Sequence, residues 1–330
     1  TNQGFDSYFG LPYSNDMSIA KEIALSDDLK LDPRWTRKRL ERDLKVYETD
    51  YRSMKDIMPL MRGEEIIEYP TDQSQLTKRY THEAVRFIER NKEKPFFLYL
   101  PHTMPHTPIF VDERFKDSSG VSLYCDSIQE IDWSVGRVLN SLRENNLAEK
   151  TLVLFCSDNG PANREDKPGG SSAGPFRGHK FDTFEGGHRV SCIVWAPGLI
   201  EEGTESDAIT STLDLFPTIA HLAGIPLPTD RVYDSYNLAP LLTGQTDTSP
   251  RKEMFFYRAN STELDGVRIG DWKFLHRGSH RNRDKKPASP MLFHLSTDPG
   301  EQTNLAEENP EKVEELLARM KAFDEAITTE

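Results

Sequence analysis

A chain of 330 residues, 36% hydrophobic and 10% aromatic, can build one large core with an appendage or two domains, and its mean hydropathy of -0.64 leaves no candidate membrane span. With 41 Lys and Arg against 54 Asp and Glu, the net charge of -13 argues against a nucleic-acid or anionic-membrane surface, so an anionic substrate needs a local basic pocket. The three cysteines, Cys125, Cys156 and Cys192, have neither disulfide-framework nor zinc-site spacing and read as buried free thiols.

The opening TNQGFDSYFGLPYSNDM has aromatic and turn residues but no initial strand, and it does not start with Met. It reads as internal to a longer protein, so missing targeting signals say nothing about compartment. Residues 17–75 are charged and irregular, which predicts a surface excursion with short strands, too polar for a core. A helix over 76–92 follows, with Tyr80, Ala84, Val85 and Ile88 on one face, and KPFFLYL (94–100) reads as a buried strand. The pair repeats: residues 124–146 place Ile128, Ile131, Val135, Val138, Leu139 and Leu142 at steps of three and four, ahead of an apolar strand at 152–155. VSCIVWAPG supplies another strand, and STLDLFPTIAHLAG another helix with Gly224 as its stop. This alternation predicts an α/β fold with a mainly parallel or mixed sheet flanked by helices. Beyond residue 250, MFFYRA, DGVRIGDWKFLH and PMLFHLS read as antiparallel strands, and PEKVEELLARMKAFDEAI as a closing helix, giving a small α+β domain. The basic loop RGSHRNRDKKP within it reads as solvated.

Three loops hold candidate chemistry. In LVLFCSDNGP, the strand runs into Asp158 and Asn159, which serve either as turn formers or as oxygen ligands for a hard cation at a strand's carboxyl end. Two side chains cannot complete a calcium or magnesium shell. In GPFRGHKFDTFEGGHRV, Gly174, Gly178, Gly186 and Gly187 permit sharp turns and close approach around Lys180, an ammonium that can hold an anion or simply lie on the surface. In LYLPHTMPHTPIF, prolines stiffen the loop around His106, with His102 close by; either is a site group or a hydrogen-bonded structural residue.

Together LVLFCSDNGP, RGHKFDTFEGGHRV, PHTMPHTP, STLDLFPTI, DGVRIGDWKFL and HLSTDPGEQTNLA resemble, in order and spacing, the type I sulfatases of the arylsulfatase A and N-acetylgalactosamine-6-sulfatase kind. The resemblance implies an alkaline-phosphatase-like catalytic domain over 1–248, incomplete at its amino end, and a carboxyl-terminal antiparallel-sheet and helix subdomain over 249–330. It implies calcium, with Asp158 and Asn159 as two of four ligands. It matches Lys180 and His106 to the residues that bind sulfate and assist the leaving oxygen, and Ser14 to a polar residue against the substrate. The implied reaction is hydrolysis of a sulfate ester of a carbohydrate or other small molecule, in a periplasmic, secreted or lysosomal setting. The family's formylglycine nucleophile is made from Cys/Ser-x-Pro-x-Arg, and neither that sequence nor the Asp-Asp pair of the family's first strand occurs in these residues. The chain is therefore expected to be the carboxyl-terminal two-thirds of an enzyme, inactive alone and exposing an unpaired sheet edge. A phosphonate or phosphodiester hydrolase on the same fold and a non-catalytic sulfate-binding protein are the alternatives.

Overall fold

A computed structural model of the chain describes residues 4–17, 24–50, 57–162, 170–259, 261–278 and 289–328. These fall into two compact units, within Thr1–Ala148 with Asp166–Gly170 and within Glu149–Glu165 with Ser171–Glu330. The basic loop expected at 277–287 lies almost wholly outside the described residues.

In the first unit, β1 (Phe9–Gly10), β2 (Ala24–Leu31), β3 (Leu60–Arg62) and β4 (Glu65–Tyr69) form one sheet in the order β1-β3-β4-β2. β2 runs parallel to β4, and the other pairings are antiparallel. The two-residue turn between β3 and β4 opens on Gly63, whose φ of 59° is easy only without a side chain. The expectation of a coreless excursion is wrong here. α1 (Arg37–Asp50) turns Leu40 into a cluster with Met61, Ile66 and Tyr69, while its neighbours Glu41 and Arg42 stand exposed. Sparse apolar side chains suffice when they share one face.

Two helices complete this unit. α2 (Leu76–Asn91) buries Leu76, Tyr80, Ala84 and Ile88, every fourth residue. α3 (Leu123–Glu144) starts at Ser122, whose Oγ accepts the Cys125 amide at 3.2 Å, and buries Ile131, Val138 and Leu142. Ile128, expected on that stripe, is instead 41% exposed. The run 94–100, expected to be a buried strand, pairs with no strand among the described residues, and Phe97 and Tyr99 stand exposed. An apolar run becomes a strand only where a neighbour completes its ladder.

In the second unit, β5 (Val153–Cys156) pairs antiparallel with β6 (Cys192–Trp195), and α4 (Glu185–His188) lies between them in sequence. The expected fully buried strand is half-exposed: Phe155 and Ile193, opposite each other, are 39% and 62% exposed. Cys192 is exposed too, so the reading of three buried thiols does not hold. α5 (Leu215–Leu222) is preceded by a capping box of Ser211 and Asp214. It ends as expected at Gly224, with φ 68° and the Ile225 amide bonded back to the Ala220 carbonyl at 2.9 Å. Asp214 also accepts the Arg251 guanidinium in a buried fork. α6 (Ala239–Leu242) follows.

The carboxyl-terminal sheet matches its expectation. β7 (Glu253–Tyr257), β8 (Leu264–Ile269), β9 (Trp272–Leu275) and β10 (Met291–His294) are antiparallel in the order β10-β9-β8-β7. Alternation along these strands splits the side chains between two cores. Val267, Phe274 and Leu292 pack with Leu316 and Met320 of α7 (Pro310–Thr328), and Phe256, Leu275 and Phe293 pack with Phe184. The fold is α/β with mixed sheets, and among the described residues β2–β4 is the parallel pairing.

His102 lies in the first unit with its Nδ1 buried and without a hydrogen-bond partner among the described residues, and Nε2 is 3.5 Å from Ser134 Oγ. Burial lowers it from 6.5 to about 4, so the folded protein keeps it neutral. Between those values the unfolded chain binds the proton that the folded one refuses, so stability is lost as pH falls from about 6.5 to about 4. The expected loss is about 2–3 kcal/mol from this group. Denaturant midpoints measured across that window should fall more steeply for the wild type than for His102→Asn, and equal slopes would contradict the assignment.

Candidate active site

The turn after β5 and the loop before α4 are built around each other. The Gly160 amide donates to the Gly187 carbonyl at 3.0 Å, and the Lys180 amide donates to the Pro161 carbonyl at 2.8 Å. No side chain fits at this crossing. A Cβ on Gly160 would stand 1.9 Å from the Gly186 carbonyl oxygen, and one on Gly187 would stand 2.1 Å from that of Asp182. The second unit therefore brings Asp158, Asn159 and Lys180 together through their backbones. Asp158 is exposed at the end of its strand. The Asn159 amide nitrogen donates to the Gly160 carbonyl at 2.9 Å, which leaves Oδ1 as the atom able to serve a cation.

Lys180 itself is half-buried, and its ammonium nitrogen lies 5.4 Å from the ring centroid of Phe181. Phe181 adopts φ 79°, a region bulky residues seldom enter. Such strain persists only where the surroundings over-determine it. Asp182 helps by accepting the His179 amide at 3.1 Å.

This loop is clamped at both ends by one residue. Arg177 donates to the Glu301 carbonyl at 2.9 Å, and the Glu185 amide donates to Glu301 Oε2 at 2.7 Å. Lys273, wholly buried on β9, places its ammonium 2.9 Å from Glu185 and 3.0 Å from Glu301. Burial would raise the Glu185 carboxyl, but Lys273, with Arg268 and Arg189, holds it below the usual range. Burial wins at Glu301 and pushes it up, with Lys273 opposing. Strand alternation puts Lys273 and Leu275 on the face that meets Phe184, so the same strand supplies the apolar seat and the charge.

The other two expected residues lie in the first unit. His106 Nδ1 is 2.8 Å from the Thr107 carbonyl and 3.2 Å from Asn15 Oδ1. A carbonyl can only accept, so the Thr107 contact places the ring proton on Nδ1 and leaves Nε2 of the exposed ring as the nitrogen facing outward from that contact. Ser14 Oγ donates to Asp16 at 2.6 Å. The buried residue that meets His106 is its neighbour Asn15, which also donates to the Pro108 carbonyl at 2.9 Å and to Gln73 at 3.1 Å.

A sequence profile of the Sulfatase family matches residues 1–225, and one for the C-terminal region of aryl-sulfatase matches residues 249–329. The chain belongs to the sulfatase family. Among its relatives, the steryl-sulfatase of Homo sapiens is 42% identical over 202 residues, covering 60% of this chain and 35% of that protein. The arylsulfatase A of Homo sapiens is 34% identical, covering 99% of this chain and 66% of that one. A solved sulfatase from work on glycosaminoglycan metabolism in Bacteroides thetaiotaomicron superposes with a TM-score of 0.70 at 29% identity, covering 82% of this chain and 58% of its own. The chain spans about half the length of the curated relatives it matches.

As a sulfatase-family chain, it offers a hard cation two oxygen donors of the right chemistry at Asp158 and Asn159. Among the described residues no group of three or more His, Cys, Asp or Glu side chains stands ready for a metal, and two side chains alone fall short of a shell of about 6–8 oxygens. Sequence reasoning did not single out Asn15, Lys273 or Glu301. Asn15 adjoins Ser14, but nothing local in SYFGLPYSND announces a partner 91 residues away. The close approach expected at Gly186 and Gly187 is what the structure uses, whereas a Cβ on Gly174 would meet nothing within 4 Å. Gly160→Ala should cost about 1–3 kcal/mol through overpacking. An unchanged denaturant midpoint in this variant would show that the two loops are not in contact.

Proposed function

We propose that the protein hydrolyses a sulfate ester, with these residues supplying its anion-binding and proton-transfer groups. The observation that supports this most is the backbone interlock, because it presents an ammonium and two oxygen donors from loops that cannot move independently. Asp158 and Asn159 would hold a hard divalent cation such as calcium, which when bound supplies positive charge against the ester's oxygens. Lys180 binds the sulfate group and neutralises charge that builds on the leaving oxygen. His106, with Nδ1 committed to Thr107, would when also protonated at Nε2 give that proton to the departing alcohol and return to the neutral ring. Ser14 is a further polar contact to the substrate.

The nucleophile is assigned to none of Cys125, Cys156 and Cys192, since none stands in Cys-x-Pro-x-Arg. The 330 residues alone are accordingly expected to release no sulfate. We take the ester to be one of a carbohydrate, a reading supported by the glycosaminoglycan setting of the Bacteroides relative. The reading includes a catalytic domain over 1–248, a carboxyl-terminal subdomain over 249–330, and a periplasmic, secreted or lysosomal setting. Among the described residues no helix is long and apolar enough to cross a membrane.

The test is sulfate release by the protein read from the full open reading frame. Asp158→Ala and Lys180→Ala should each lower kcat/KM about 100-fold or more, with folding unchanged by circular dichroism. Wild-type rates in both variants would contradict the roles given them. Sulfate binding without turnover by the intact protein would put a non-catalytic binding function first, and turnover of a steryl sulfate alone would replace the carbohydrate.

A further inference from the structure

Cys156 and Cys192 face each other across the β5–β6 pair. Residues directly opposite in an antiparallel pair project to the same face. One rung further, the Ser157 amide donates to the Ser191 carbonyl at 3.3 Å, which makes Ser157 and Ser191 a hydrogen-bonded pair. Such pairs alternate with non-hydrogen-bonded ones, so Cys156 and Cys192 occupy a non-hydrogen-bonded position, where Cα atoms approach to about 4.5 Å and side chains are closest. That spacing falls in the range of about 4.4–6.8 Å over which a disulfide closes without backbone movement. Cys192 is exposed and Cys156 half-buried, so an oxidant in solution meets Cys192 first.

We propose that Cys156 and Cys192 form a cross-strand disulfide by exchange with a small disulfide oxidant. The Cys192 thiolate attacks one sulfur of the oxidant, whose S–S bond breaks and releases one thiol after protonation. The Cys156 thiolate then attacks Cys192 Sγ in the mixed disulfide and expels the second thiol. The protein dithiol is oxidised, the oxidant is reduced to two thiols, and two electrons and two protons pass between them. The physical use of the link lies in where it falls. β5 and β6 form a two-stranded sheet among the described residues, an arrangement that is marginal in water. The link closes that ribbon at the end from which the chain leaves for Asp158 and Asn159, and so fixes the base of the turn.

The 330-residue chain is equilibrated in glutathione buffers from reducing to oxidising, acid-quenched, alkylated with N-ethylmaleimide and digested with trypsin without reduction. Trypsin places Cys125, Cys156 and Cys192 in separate peptides, 117–137, 151–164 and 190–231. The oxidised chain should yield peptide 151–164 linked to 190–231, with Cys125 singly alkylated, whereas the same treatment in guanidinium should scramble all three. The oxidised wild type should also melt higher than the reduced one, while Cys156→Ser/Cys192→Ser melts at the reduced temperature in either buffer. Alkylated or merely glutathionylated Cys156 and Cys192 at equilibrium in the oxidising buffer would overturn the link. Scrambling as extensive in native buffer as in guanidinium would overturn the register on which it rests. A wild-type melt that ignores redox state would overturn its stabilising role.

Discussion

Everything proposed for the second unit depends on two stretches of backbone touching where no side chain fits. Gly160 lies against Gly186 and Gly187, and two amide-to-carbonyl bonds hold the contact. Any other residue at these positions would push the loops apart by the width of a methyl group. The glycines thereby do for Asp158, Asn159 and Lys180 what a rigid scaffold does for any polar site. They remove the freedom that would otherwise have to be lost when an anion binds.

The contact would still drift if the loop before α4 were loose, and buried charge prevents that. Lys273 is wholly buried between two carboxylates, an arrangement whose desolvation cost offsets much of its attraction. Removing one member would strand the others without compensation, so the cluster acts less as a source of net stability than as a requirement for one geometry. Glu301 completes it by holding both ends of the loop, through Arg177 and through the Glu185 amide. The carboxyl-terminal sheet is thus part of how Lys180 is placed, within the same unit.

The sequence made α2, α3, α5, α7 and the carboxyl-terminal strands readable because their patterns are local, whereas α1, in a stretch read as an irregular excursion, was not. Tyr80, Ala84, Val85 and Ile88 declare α2 by spacing alone, Gly224 declares the end of α5, and the aromatic runs after residue 250 declare β7 to β10. What failed was whatever depended on neighbours. Residues 94–100 have a strand's composition but no ladder among the described residues, and β5 is equally apolar yet half-exposed. The core around Leu40 and Tyr69 was hidden because charged residues outnumber the few apolar ones that share a face. Of the candidate site residues, Asp158, Asn159, Lys180, His106 and Ser14 follow from motif order. Asn15, Lys273 and Glu301 do not, since their partners are distant in sequence and their own surroundings are unremarkable in composition.

The central claim is that the turn after β5 is a cation site held open by the loop that bears Lys180. Anomalous diffraction from crystals of the chain soaked in terbium, a calcium mimic with a strong signal, tests it directly. The account requires a peak at about 2.3–2.6 Å from an Asp158 carboxylate oxygen and from Asn159 Oδ1. Terbium bound only at other carboxylates, with that turn empty at saturating metal, would contradict it.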